Sequence, residues 1–141
     1  DSVLDNLQKV YKSNMQTLTD TILLADEEAY EEAVKALLKA KSIHFFGTGD
    51  SAAVCQLFYF KFCRLGIPGS AQQDPVMQLM EASNLGPGDV AVIISYEGKS
   101  RTVLNAAKVA DERGATIICI TKMSKSPLLR LSDINLLLPA T

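Results

Sequence analysis

Two short stretches carry the residue types that bind anions: Gly47-Thr48-Gly49-Asp50-Ser51 and Ser95-Tyr96-Glu97-Gly98-Lys99-Ser100. Glycines let backbone N–H groups approach a ligand closely, and serine hydroxyls add donors beside them. A helix N-terminus contributes unpaired N–H groups and the positive end of the helix dipole. Together these suit an oxyanion, and a phosphate above all. The candidate ligand-binding residues are therefore Gly47, Gly49, Ser51, Ser95, Tyr96, Glu97, Gly98, Lys99 and Ser100, with Tyr96 as a wall of the pocket. The rest of the chemistry is thin. His44 is the only histidine, and its place inside an apolar run suits a core or sheet-face position better than catalysis. No acid–base pair stands out, so no catalytic residue is assigned. Cys55, Cys63 and Cys119 have no metal-ligand spacing, and nothing calls for a metal or a cofactor.

The elements around these stretches set their geometry. Each stretch follows a buried apolar run, Ser42 to Phe46 for the first and Val90 to Ile94 for the second, and each opens a helical pattern. The chain thus twice makes a strand, a tight loop and a helix, which places both loops at the carboxyl ends of parallel strands, where they can share one crevice. Val3, Leu4, Leu7, Tyr11, Met15, Leu18 and Ile22 recur in steps of three and four, predicting an amphipathic helix over 2–24. Asp26 reads as the N-cap of a second helix whose buried stripe is Ala29, Ala33, Leu37 and Leu38. Helix is predicted from Ser51 to about Leu65, stopped by Gly66 and Pro68. A weak edge strand follows over 67–73, then a short helix capped by Asp74 and carrying Val76, Met77, Leu79 and Met80. Helix over Ser100 to Arg113, strand over Ala115 to Ile120, a short helix over Ser126 to Leu131 and a strand over Ile134 to Leu138 complete the chain. Alternating strands and helices predict an α/β fold with a parallel sheet of about five strands and right-handed crossovers.

Composition narrows the classes. At 141 residues the chain is one domain, 48% hydrophobic and 21% charged, so it is globular. The net charge of −2, with scattered Lys and Arg, argues against nucleic-acid binding by this domain itself. No apolar run nears the roughly 20 residues of a membrane span, and no signal peptide is visible. Three cysteines without a framework read as reduced core residues, which fits a cytoplasmic protein. The chain opens on Asp1 and not on Met, which leads us to expect a domain excised from a longer protein.

The order of motifs resembles the SIS (sugar isomerase) domain. The resemblance rests on the two loops, on Ala106-Ala107-Lys108, on Gly114 to Thr121, and on Ser126-Pro127-Leu128, and it covers about residues 30–141. With Leu131-Ser132-Asp133 and the long leading helix, the chain is most similar to the effector domain of RpiR-type bacterial transcription regulators. The resemblance implies a three-layer α-β-α sandwich, flavodoxin-like, that binds a phosphosugar and pairs as a homodimer. It implies contact with DNA only through a helix-turn-helix domain outside this chain, and no membrane. It also implies that Ser51, Ser95 and Ser100 hold the phosphate, with residue 97 at the same place. Two positions depart from the family pattern. Residue 97 is usually Ser or Thr and is Glu here; residue 99 is usually Glu or Asp and is Lys here. A carboxylate aimed at a phosphate dianion repels it, so Glu97 should turn away, toward Lys99 or the sugar hydroxyls.

Competing readings stand beside these. Gly47 to Ala52 also fits a dinucleotide fingerprint, but the acidic residue that motif needs is present only as Asp74, a helix cap. Ser95 and Ser100 serve equally as a turn residue and an N-cap, and Lys99 and Arg101 as solvated charges. An aldose–ketose phosphosugar isomerase is the alternative function, with Glu97 or Glu81 as its base, and a dimerisation module with an empty pocket is a third.

Overall fold

A computed structural model describes residues 1–140. Its elements run α1 (Val3–Leu24), α2 (Glu27–Lys39), β1 (Ser42–Phe46), α3 (Asp50–Arg64), β2 (Gly69–Ser70), α4 (Pro75–Ser83), β3 (Asp89–Ile94), α5 (Arg101–Glu112), β4 (Thr116–Lys122), α6 (Pro127–Leu131) and β5 (Ile134–Leu138). The five strands form one sheet in the order β2-β1-β3-β4-β5, and every neighbouring pair is parallel. This is the parallel α/β sheet that the alternation predicts, in the three-layer, flavodoxin-like arrangement that the resemblance implies.

The central strand explains why the sheet needs two helical layers. Val90, Val92 and Ile94 of β3 join Ile43, Phe45 and Ile118 on one face, under α2 and α3. Ala91 and Ile93 join Phe46, Ile117 and Cys119 on the other, under α4, α5 and α6. A strand apolar on both faces must be covered on both. On α5 the covering surface is small: Val103, Ala106, Ala107 and Ala110 are all buried, so the helix sits close to the sheet. Burial of the Cys55 thiol among the apolar side chains on the opposite face pushes its pKa up to about 12, so it stays a thiol at any ordinary pH.

Helix ends follow their capping residues. Ser2 accepts from the Asp5 N–H, and Asp5 answers by accepting from the Ser2 N–H. Asp26 and Asp74 cap α2 and α4 as expected.

Three expectations are corrected. Cys63 is exposed, because the buried stripe of α3 is Cys55, Phe58, Tyr59 and Phe62, and residue 63 lies about 100° further round the helix. Leu38 is exposed for the same reason, one step past Leu37 in a stripe completed by Ala33, Ala36 and Ala40. The edge strand shrinks from 67–73 to the two residues of β2. There the Ile43 N–H reaches the Pro68 carbonyl at 2.9 Å, and a Cβ on Gly69 would overlap the Ile43 carbonyl. α1 is the amphipathic helix expected, but it has no buried residue. Its apolar stripe stands in solvent, with Ile22 75% exposed, and it meets the body at β5.

Candidate functional site

The crossovers leave β1 and β3 in opposite directions. α3 lies on one face of the sheet and α5 on the other, so the carboxyl ends of β1 and β3 mark the switch point of the fold. Loop 47–49 follows β1 and loop 95–100 follows β3, so the two candidate stretches flank one crevice. They meet across it: the Thr48 hydroxyl donates to the Ser100 Oγ at 3.5 Å.

Each glycine in the loops has a reason. Gly47 is packed so closely that a Cβ would lie 2.9 Å from the Cys55 Sγ and 3.0 Å from the Ile94 carbonyl oxygen, so it lets α3 close on the sheet. Gly98 has φ +66°, and a Cβ there would lie 2.6 Å from the Ser126 Oγ.

The serines keep their loops in shape while leaving hydroxyl protons to donate. Ser95 Oγ accepts from the Gly98 N–H at 3.1 Å, and the Ser95 N–H reaches the Ile120 carbonyl. Ser100 is the N-cap of α5, accepting from the Val103 N–H at 3.5 Å. Ser51 sits in the first turn of α3. With Asp50, Val54, Phe58, Ile94, Tyr96, Ile120 and Leu138 it lines a cavity of about 260 Å³. Ser51 and Tyr96 thus share one cavity, while Ser95, Gly98 and Ser100 form the adjoining loop, with Gly49 exposed at the first turn.

Loop 95–100 is fastened to β4. The Tyr96 carbonyl accepts from the Lys122 N–H at 3.0 Å and from the Thr121 hydroxyl at 3.1 Å, and the Tyr96 hydroxyl donates to the Pro139 carbonyl. Glu97 turns to Lys122, with Oε2 2.8 Å from Nζ, and not to Lys99. That hydrogen bond holds the Glu97 carboxyl below its ordinary pKa and raises the Lys122 ammonium; Lys99 acts on Glu97 only through space, behind Lys122. Lys99 itself is exposed.

The structure adds residues the sequence reading passed over. Thr48 lies within the first loop but is not among the candidate ligand-binding residues. Lys122 closes β4, which runs two residues past the predicted strand end at Ile120 and so comes beside loop 95–100. Gln78 is completely buried on α4, and its Nε2 donates to the Gly47 carbonyl at 2.8 Å and to the Gln73 carbonyl at 3.3 Å.

His44 and Glu81 lie elsewhere. His44 Nδ1 is 3.6 Å from Glu81 Oε2 and 2.6 Å from the Ser70 Oγ, while Nε2 is 2.8 Å from the Ser42 Oγ. Ser42 donates its proton to Asp89, so it accepts from His44; the neutral ring is the Nε2–H tautomer, with Nδ1 accepting from Ser70. Burial lowers the His44 pKa, an effect that Glu81 and Asp89 oppose. His44 sits in the middle of β1, roughly 10 Å of strand before Gly47, and meets Glu81 of α4 there. Among the described residues no group of His, Cys, Asp and Glu is placed to hold a metal, and no helix is long and apolar enough to cross a membrane.

Fold and crevice together define a flavodoxin-like α/β domain with two glycine–serine loops at its switch point. The chain belongs to the SIS domain family, whose profile matches residues 36–141. It is 40% identical over 136 residues to an HTH-type transcriptional regulator of Caldanaerobacter subterraneus, covering 96% of this chain and 48% of that one. It is 38% identical over 132 residues to the HTH-type transcriptional regulator HexR of Pseudomonas aeruginosa, covering 94% and 46%. The chain thus spans about half the length of these relatives. Among solved structures, the NanR protein of Vibrio vulnificus complexed with ManNAc-6P superposes with a TM-score of 0.91 at 26% identity, over 95% of this chain and 51% of that one. The sugar isomerase domain of an RpiR transcription factor from Sphaerobacter thermophilus gives 0.87 at 28%, over 94% and 75%. A phosphoheptose isomerase from Francisella tularensis, at 22% identity and a TM-score of 0.82 over 99% and 87%, shares the fold.

Proposed function

We propose that this chain is the phosphosugar-binding sensor domain of a bacterial transcription regulator acting in the cytoplasm. The observation that carries the reading is the crevice itself: two strand–loop–helix units face each other at the switch point, joined by Thr48 and Ser100. The likeness to NanR, solved with ManNAc-6P, and the run of regulator relatives support it. In this reading the phosphate takes hydrogen bonds from Ser51, Ser95, Ser100 and the N–H groups that open α3 and α5. Gly47, Gly49 and Gly98 shape those loops, Tyr96 walls the sugar, and Glu97 and Lys99 stand at the rim. DNA is met through a helix-turn-helix domain outside this chain. The domain pairs with a second copy, for which the bare stripe of α1 supplies apolar surface.

An isomerase reading draws on the phosphoheptose isomerases among the structures of the same fold. The placement of His44 and Glu81 speaks against it, since the one imidazole–carboxylate pair of the described residues joins the middle of β1 to α4, short of the strand end that opens the crevice.

Calorimetric titration with a phosphosugar panel that includes ManNAc-6P tests both readings. Ser95→Ala with Ser100→Ala should weaken the ligand that binds by more than tenfold, because each lost charge-assisted hydrogen bond is worth about 1.5–3 kcal/mol. Unchanged affinity in a folded double variant removes these serines from the site. Protein-dependent deuterium exchange at C2 of a bound sugar phosphate would instead establish the isomerase.

A further inference from the structure

The geometry points to Lys122 as an anion-binding residue of this crevice, held in reserve by Glu97, which occupies the ammonium until a ligand's phosphate takes its place. The inference deepens the phosphosugar reading and rests on it.

Three observations carry the inference. First, Lys122 is tied to the site by its backbone. It ends β4, and its N–H bonds the carbonyl of Tyr96, which lines the cavity with Ser51. Second, the two partners differ in freedom. The Lys122 side chain is only 23% exposed and lies with Nζ 5.5 Å from the centroid of the Tyr96 ring, whereas Glu97 is 57% exposed. The lysine is held by its ammonium over the aromatic ring, and the more exposed carboxylate is the member free to swing out. Third, Glu97 stands between Tyr96 and Gly98, the residue whose N–H bonds the Ser95 hydroxyl, so its carboxylate is at the rim of the loop that offers donors to an anion. A carboxylate there is an internal competitor for any oxyanion that enters.

The consequence is selectivity. A bare phosphate must displace Glu97 and leave it facing a dianion. A phosphate monoester bearing hydroxyls displaces it too, but gives the freed carboxylate hydroxyl protons to accept. Glu97 therefore lowers affinity for inorganic phosphate and turns the crevice toward polyhydroxylated phosphates, while Lys122 serves both.

The test is a titration with inorganic phosphate, followed by 31P line broadening and calorimetry, on the wild-type chain, Glu97→Gln, Lys122→Met, Lys122→Arg and the Glu97→Gln/Lys122→Met double variant. Glu97→Gln should bind phosphate at least fivefold more tightly than wild type. Lys122→Met should bind it at least fivefold more weakly, with Lys122→Arg restoring most of the loss. In the double variant the gain from Glu97→Gln should vanish, a coupling that mere loosening of the loop does not produce. Phosphate binding that is indifferent to Lys122, or a Glu97→Gln gain that survives in the double variant, overturns the inference while leaving the anion site in place. Absence of any phosphate signal in wild type, Glu97→Gln and Lys122→Arg alike, with all three folded by circular dichroism, overturns the anion site itself.

Discussion

Replacing Gly98 with alanine probes both the backbone of the second loop and what stands behind it. Gly98 has φ +66°, and an added Cβ would lie 2.6 Å from the Ser126 Oγ, 2.9 Å from the Ser126 Cβ and 3.2 Å from the Thr121 Oγ1. A left-handed backbone costs an L residue about 1–2 kcal/mol. Forcing a methyl into occupied space adds roughly 1–3 kcal/mol. Alanine returns about 0.4–1 kcal/mol by narrowing the unfolded ensemble. The net loss should be near 3 kcal/mol, which lowers the urea midpoint by about 1.5 M if the slope is ~2 kcal/mol per M. Ser126 offers a control, because its hydroxyl has no hydrogen-bond partner and its side chain makes no cap bond to α6. Adding Ser126→Gly removes the two nearest atoms while leaving the backbone term, so the Gly98→Ala/Ser126→Gly double variant should regain about half of the loss. A Gly98→Ala loss below ~1 kcal/mol, or no recovery in the double variant, would refute this account of the loop.

Other expectations follow from the same geometry. Gln78→Met strips the Gly47 and Gln73 carbonyls of a buried donor; unpaired buried groups cost about 1–3 kcal/mol, and urea titration should read the lower half of that range because the Gln78 Oε1 is itself unpaired. His44 makes stability depend on pH. Burial holds its folded pKa below the ordinary 6.5, so the unfolded chain binds the proton first, and stability should rise with pH up to about 6.5 and then level. Melting curves of His44→Gln should lose that slope, and a slope unchanged in the variant would place its origin elsewhere. Sedimentation equilibrium at micromolar concentration should show a dimer that Leu7→Glu with Leu18→Glu on α1 converts to monomer; a wild-type monomer would leave the bare stripe unexplained by pairing.

Much of this fold is legible because its signals are local. The apolar runs at Ser42–Phe46 and Val90–Ile94, each followed by glycine and serine, predict strand, loop and helix without any knowledge of contacts. The crevice follows from parallel topology, since two such loops at strand ends share one side of a sheet. Pairing across the sheet is less visible. Glu97 meets Lys122 because β4 runs on two residues past Ile120 beside loop 95–100, and residue spacing carries no sign of that extension. α4 is misleading for a different reason. Val76, Met77, Leu79 and Met80 are its apolar residues and all are exposed, while Gln78 and Ala82 face inward. A buried carbonyl at Gly47 needs a donor, and satisfying it outweighs the usual preference for an apolar side chain at that position.

The bareness of α1 divides the molecule by timescale. A helix of this length in water is close to its own melting balance, and no side chain of α1 is fully buried, its contact with the body being at β5. Its amides open by unwinding alone. Those of β3, paired on both sides and covered on both faces, open only when the sheet does. One chain therefore carries a fast clock and a slow one. Hydrogen exchange along α1 reads whatever settles on the stripe from Leu4 to Ile22, while β3 supplies the fixed reference, so the ratio of the two rates gauges association in the intact protein with no label attached.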